Sequence, residues 1–498
     1  MRSQYPHSQA GYQLQHHGAI ALAQVENNGV RVDVAYMKEA IERVSARIEH
    51  NQKALREFDL YHDWRYMFGQ KTSMGSRTQM AKVLDKRGLL PKGATNLDAD
   101  VLAQIDHPFI EKYLEVEKLK KLNSTYLQST LDETSPDGFC RAFYNLHLAT
   151  TFRSSGSNPN IQNQPIRDKL QGKMIRRGFL PTSDDYRIVE IDYSSIEVRV
   201  AAAYHQDPKM MTYLSDPSSD MHRDAACKMF ICEPDQVHKT SRFVGKNGFV
   251  FPAFYGDYYA SMAGGIWKQL VADKPVLSCG KLVIDHLAEK GITELGACDP
   301  EKEPVRGTYE HHLKEVEDWF WLDNFTQYDT WKKHWYKQYQ NRGWFQGFSG
   351  FTFSGVMRRN IVINSPVQSA AFHCLLWSLI KVQKIMNKRK WKSKIIGQIH
   401  DSLIADVHKD EYEDYLALAK EVMTTRMKQH WAHVARTNDI QWTMPPERGY
   451  KSKTFDYELL DWKGQDNHND PLGEIPIDVE AEATPLGGSW YEKEVVEI

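Results

Sequence analysis

The chain contains no apolar run close to the ~20 residues that a membrane-crossing helix requires. Its first residues, MRSQYPHSQAGYQLQHHG, hold no apolar stretch of the kind found in secretory leaders. A soluble, intracellular protein is therefore expected, located in the cytoplasm. Cysteine is scarce. The six cysteines are Cys140, Cys227, Cys232, Cys279, Cys298 and Cys374, and none forms a CxxC pair, which argues against a structural zinc site. In a reducing compartment they read as buried or inert thiols. No internal repeat is present. Neither sign of charge dominates: 63 Lys+Arg against 65 Asp+Glu give a formal net charge of -2. That balance does not advertise a nucleic-acid binder, but a local basic surface can hide inside it. The stretch from about Asp461 to Ile498 is acidic and contains Pro and Gly. It offsets a more basic body and reads as a flexible, solvated tail, with partner docking as the alternative.

What is present is an ordinary globular composition on a chain long enough for two to four structural units. From about Gly18 to Phe58 the sequence is largely helical in pattern, and VDVAYMKEAIERVSARIEHNQKALREF carries apolar residues at i, i+3, i+4 spacing with Asp33 placed to cap it. A second long helix is expected through FIEKYLEVEKLKKLNSTYL. Long charged helices of this kind suggest an arm more than a compact core.

After about Asn158 the texture changes. RIVEIDYSSIEVRVAAAY reads as a strand (Ile188, Val189, Ile191) turning into a helix at Asp192-Tyr193-Ser194. KSKIIGQIHDSLIADVH reads as two strands, Ile395–Ile399 and Leu403–Val407, joined by a tight turn at His400-Asp401-Ser402. Mostly helical sequence fills the interval from about Asp207 to Lys384. If the three strands share a sheet, Asp192 and Asp401 project from one edge into a cleft. Such a carboxylate pair suits Mg²⁺, which takes few protein ligands and fills its octahedron with water and phosphate oxygens. Two such ions ~3.5–4 Å apart can clamp the attacking and leaving oxygens of an in-line displacement. Taken singly, each Asp also fits a plain turn residue or helix cap.

Two further segments gain meaning beside that pair. TSRFVGKNGFVFPAFYGDYY sets Arg242 and Lys246 one helical turn apart, a cradle for a triphosphate, with Phe249, Phe251, Phe254 and Tyr255 following. TTFRSSGSNPNIQNQPIRD is rich in amides and hydroxyls and suits sugar and phosphate contacts along a duplex. Each could equally be an amphipathic helix or a surface loop.

Read together, these segments resemble family A DNA polymerases. DYSSIEVR resembles that family's motif A, SRFVGKNGFVFPAFYG its motif B and QIHDSL its motif C. TFRSSGSNPNIQNQPIR, DMHRDAACKMF, NSPVQSAAF and KLNSTYL resemble further family segments in the same order, over about residues 18 to 455. The resemblance implies an α+β right-hand fold with a small antiparallel palm sheet, large helical fingers and a helical thumb. The implied divisions are an N-terminal segment (1–17), thumb and N-terminal helices (18–157), palm (158–206), fingers (207–350), palm again (351–455) and the acidic tail (456–498). It implies that Asp192 and Asp401, helped by the Tyr193 carbonyl, bind two Mg²⁺ ions. Arg242, Lys246 and His222 would meet the triphosphate, with Phe251 and Tyr255 beside the nucleotide and Gly256 beside the templating base. Glu197 would exclude a 2′-hydroxyl. Arg153, Gln368, Asn364 and His400 would contact DNA. Partners implied are primer-template DNA, dNTPs and, beyond them, a separate exonuclease chain or other replisome proteins.

The departures are specific. Lys246 and Tyr255 are one residue farther apart than usual, so the family's aromatic falls on Val250 or Phe251; Phe251 is favoured because an aromatic can pack on a sugar. Pro252 lacks an N–H and is expected to kink the helix. Ser195 replaces the usual Gln in motif A, and Ser402 the usual Glu in motif C. The segment from Tyr258 to about Glu315 contains a stretch, including the CDPEKEPVRG loop, with no match in the family's fingers. A first helix near residue 18 leaves no room for a 3′–5′ exonuclease domain, an arrangement that resembles phage replication polymerases. A single-subunit RNA polymerase and a catalytically inactive DNA-binding scaffold are the alternatives.

Overall fold

The computed structural model describes residues 7–90, 97–164, 169–216, 218–299, 301–437, 440, 442, 455–456, 461–462 and 470–498. The first helix, Gln9–Asn28, starts well before residue 18 because the Ser8 hydroxyl accepts from the Gly11 N–H at 3.1 Å and caps it. A division between residues 17 and 18 would cut it. It packs along the long helix Arg359–Arg389, and a side chain at Gly18 would collide with Leu376. Asp33 caps Val34–Leu55 as expected, its carboxylate accepting from the Tyr36 N–H at 2.9 Å. The two helices are separated by a strand, Val30–Val32, that the helical periodicity around it concealed. That strand is held between Phe139–Cys140 and Phe179–Leu180.

The expected second helix runs Pro108–Lys121 and continues in wider π geometry over Leu122–Gln128. With the helices Asp59–Phe68 and Arg77–Lys86 it encloses a core of its own, built on Leu60, Trp64, Met80, Leu84, Phe109 and Tyr113. The arm thus carries a compact core. Among the described residues, no helix is long and apolar enough to cross a membrane.

The centre of the molecule is a five-stranded antiparallel sheet in the order Glu494–Val496, Val479–Ala483, Tyr186–Tyr193, Ser402–His408, Lys394–Ile399. Both predicted strand regions are there. The tail expectation is corrected: residues 470–498 are folded onto the sheet. Val479–Ala483 pairs with the central strand over Val479↔Tyr193, Glu480↔Asp192, Ala481↔Ile191 and Ala483↔Val189. The acidic composition masked an alternation in which Ala481 and Ala483 turn inward while Glu480 turns out. Leu472, Ile475, Ile477 and Trp490 are also buried.

The helix Arg359–Arg389 crosses the core beneath the sheet with Pro366 inside it. Pro366 cannot donate to the Val362 carbonyl one turn back. The buried Trp335 indole N–H takes that place at 3.0 Å, so this buried acceptor is not left unmet. Farther along, His373 is fully enclosed, its Nδ1 2.7 Å from the Ser349 hydroxyl and its Nε2 3.3 Å from the Phe152 carbonyl. Burial pushes its imidazole down to about 3. The native state therefore resists a proton that the unfolded chain accepts below pH ~6.5, so stability is full above that pH and falls as pH drops toward 3. Between pH 7 and 5 thermal melts should show an acid loss that is shallower in His373→Gln, at up to ~1.4 kcal/mol per pH unit for this one group. An identical slope in the variant would assign the acid loss elsewhere.

Candidate active site

The central strand ends at Asp192-Tyr193, and Ser195 takes a left-handed conformation (φ 54°) that turns the chain into the helix Ile196–His205. On the neighbouring strand pair, Ile399 and Ser402 face each other, leaving a two-residue turn of His400 (φ 52°) and Asp401. Asp192 is directly opposite Ser402, and the Tyr193 N–H donates to the Asp401 carbonyl at 3.3 Å. Sheet register therefore brings two aspartates, distant in sequence, to one end of one sheet. Desolvation by the protein packed around the strand end and turn raises both carboxyls, although Asp192 keeps solvent contact; Asp401, Glu190 and Glu480 raise Asp192 further, and Glu197 raises Asp401. Crowded carboxylates of this kind are what a hard divalent cation relieves.

The amide-rich loop is anchored beside that turn. Gln398 accepts from the Ser154 hydroxyl and the Gln162 amide, each at 2.8 Å, and donates to the His400 carbonyl at 2.7 Å. Arg153 emerges from the loop, ion-pairs with Glu197 and donates from Nε to the Gln368 carbonyl at 3.3 Å. The Tyr255 hydroxyl donates to the other Glu197 oxygen at 2.6 Å, and Asn364 holds the Tyr255 carbonyl at 2.9 Å. Arg153, Glu197, Phe251, Tyr255, His400 and Asp401 line one cleft of about 730 Å³. A second hollow beside it is lined by Phe251, Tyr255, Asn364 and Gln368.

The basic helix solves its extra residue locally. Lys239–Val244 is α-helical, Gly245–Val250 widens into a π turn and Phe251–Phe254 resumes the α form. A π turn is how a helix takes in one more residue without changing register on either side. Pro252 then stands in the first turn of the resumed helix, where a missing N–H costs little. The turn also decides which side chain faces the cleft: Val250 is fully buried, whereas Phe251 lines the cleft with the Lys246 ammonium 5.2 Å from its ring centroid. Gly256, after this helix, has a positive φ of 85°.

Arg242 donates from Nε to Asp220 at 2.6 Å, and the other Asp220 oxygen caps the His222 helix. His222 packs edge-on against Phe251. Burial, then Lys246 and Arg242, push its imidazole down to about 4, so it is neutral at pH 7. His222 and Arg242 line a wide hollow of about 1020 Å³. Sequence reasoning missed Gln398, Arg199 and the C-terminal residues around Asp192. Arg199 is buried and donates to the Ser194 and Pro476 carbonyls and to Asp478. An Arg inside an otherwise Ala-rich apolar helix was the available signal.

The family model described as DNA polymerase family A matches residues 38–269 and 347–439. The interval between the two matched stretches, 270–346, contains the CDPEKEPVRG loop, whereas residues 258–269 of the same segment fall inside the match. Among curated proteins, DNA polymerase I of Bacillus subtilis (strain 168) is 25% identical over 415 residues, covering 81% of this chain and 42% of that protein. The thermostable DNA polymerase I of Thermus aquaticus is 26% identical over 423 residues, covering 81% and 44%. The chain thus spans less than half the length of these relatives. A solved structure, the POL domain of Pol1 from M. smegmatis in complex with DNA primer-template and dNTP, superposes with a TM-score of 0.68 at 19% identity, covering 96% of this chain and 70% of that one. The α+β right-hand fold is shared with it. Since the family model accounts for more than half of its residues, the chain belongs to DNA polymerase family A.

Proposed function

We propose that this chain is a template-directed DNA polymerase that adds dNTPs to a primer 3′-hydroxyl and releases pyrophosphate. The observation that carries this reading is the meeting of Asp192 and Asp401 at one end of the sheet, where Asp401 lines a cleft with Arg153, Glu197, Phe251 and Tyr255. Asp192, Asp401 and the Tyr193 carbonyl form an all-oxygen donor set that would hold two Mg²⁺ ions, which supply activation of the primer hydroxyl and neutralisation of the leaving pyrophosphate.

The chain's own residues do the rest. Lys246 and Arg242 meet the triphosphate, and neutral His222 beside them can donate a hydrogen bond without adding charge. Phe251 and Tyr255 offer faces for sugar and base, and Gly256 leaves room beside the template. Arg153 and Gln368 contact the minor groove, where acceptors common to all correct pairs report shape without sequence. Asn364 fixes the end of the fingers helix through Tyr255, and His400 stands at the primer terminus. Glu197, gripped by Arg153 and Tyr255, presents a fixed carboxylate that crowds a 2′-hydroxyl.

Primer extension by the purified chain with Mg²⁺ and dNTPs tests the whole reading; no extension would sink it. A side-by-side rNTP arm separates DNA from RNA synthesis. Glu197→Ala should raise the rNTP:dNTP incorporation ratio by ~10–100-fold, because a designed clash is what discriminates the larger sugar. An unchanged ratio would remove Glu197 from that role. A mismatched-primer arm of the same assay tests whether proofreading is absent from this chain.

A further inference from the structure

The face of the sheet that carries Asp192 holds four more carboxylates: Glu190 on the same strand, Asp406 opposite Ile188, and Glu480 and Glu482 on the C-terminal strand. Residues paired across antiparallel strands point to the same side, and so do residues two apart on one strand. Asp192 is opposite Glu480, and Glu190 is opposite Glu482. Lys493 ion-pairs with Glu190 at 2.6 Å and with Glu482, and the Trp490 indole donates to Glu190 at 3.0 Å. Glu190 and Glu482 are thereby compensated, and Asp406 accepts from the Thr182 N–H at 3.0 Å. Among the described residues, Glu480 has no such cation: it accepts from the Ser194 hydroxyl, 3.2 Å away, on the residue that comes after the strand end. It is exposed, on a strand beyond the residues matched to the family. Motif C meanwhile has Ser402 opposite Asp192 on the other side, where the resemblance leads one to expect an acidic residue nearby.

We propose that Glu480 is the accessory carboxylate of the metal site, holding the ions' coordinated water beside Asp192 from a strand outside the family's matched region. The inference rests on the proposed function, since it presumes cations at Asp192 and Asp401. The C-terminal strand places a carboxylate across from Asp192 with backbone precision, and Ser194 holds it by a hydroxyl rather than by a cation, leaving its charge uncompensated. Mg²⁺ keeps most of its water, so a carboxylate that accepts from that water contributes without direct ligation.

The test is Mn²⁺ affinity, followed by electron paramagnetic resonance on the full chain bound to a dideoxy-terminated primer-template and the matching dNTP. Glu480→Gln should weaken Mn²⁺ binding by ~10-fold, the lower end for loss of an outer-shell partner. Glu480→Asp should recover part of it, and Glu494→Gln, the same charge change on the exposed edge strand, should leave it unaltered. Thermal melts of all variants should coincide with the parent, because Glu480 is exposed. Parent affinity retained in Glu480→Gln, or equal weakening in Glu494→Gln, would overturn the assignment. A parent complex that binds no Mn²⁺ would instead overturn the metal site itself, and the inference with it.

Discussion

Asp192→Ala and Asp401→Ala should each bind primer-template within a few-fold of the parent chain while losing at least ~10³-fold in single-turnover incorporation, the scale on which removal of one preorganised electrostatic element acts. The two effects separate because they draw on different groups. DNA affinity comes from cations and amides along the backbone, and removing a carboxylate from the cleft lessens repulsion of phosphate. Incorporation requires the charge of the attacking oxygen and the leaving phosphates to be met at one point. The fold should tolerate either change: Asp192 is exposed near the strand end and Asp401 lies on a turn, so neither fills the core. Quenched-flow incorporation beside fluorescence-anisotropy DNA binding checks both halves. Near-parent rates in either variant would dismiss the assignment, and joint loss of binding and melting temperature would recast the pair as structural.

Removal of residues 471–498 should leave a chain that does not fold to a soluble protein. Leu472, Ile475 and Ile477 are buried and each contributes ~1.5–3 kcal/mol by burial. Trp490, closed against Phe179 and Arg176, is of a class whose truncation costs ~3–5 kcal/mol. Together these approach the ~5–15 kcal/mol that holds a typical domain folded. The loss is compounded where Arg199 would keep a buried charge without Asp478 and the Pro476 carbonyl, and where Glu190 would lose Lys493. Soluble yield and circular-dichroism melts decide it. A truncated chain melting within a few degrees of the parent would return this segment to the status of an appendage. Trp490→Ala gives a graded version, expected to melt well below the parent yet still fold.

The contrast between these two regions shows where sequence reasoning succeeds. Ile188, Val189 and Ile191 before Asp192, and the apolar runs around His400-Asp401, are local patterns whose period and length specify strands by themselves. The Asp33 cap and the helix carrying Arg242 were likewise legible because cap chemistry and helix spacing are set within a few residues. The C-terminal segment was misread for the opposite reason. Its acidic residues dominate any count of charge, and the inward residues of its strand are two alanines, too small to signal burial until a partner strand is known. Val30–Val32 was lost between two strongly periodic helices. Gln398 and Arg199 act through hydrogen bonds to carbonyls and amides far away in sequence, which no local pattern records.

The amino-acid sequence alone determined the long helices and the central strands, the ordered motifs of the family and the two aspartates at strand ends, because backbone propensity, side-chain period and turn chemistry are properties of neighbouring residues. Only the tertiary structure decided which strands lie side by side, that a π turn aims Phe251 and buries Val250, and that the C-terminal strand sets Glu480 across from Asp192. Those outcomes depend on register and packing between segments separated by hundreds of residues, where the energy is collective and no single residue carries it.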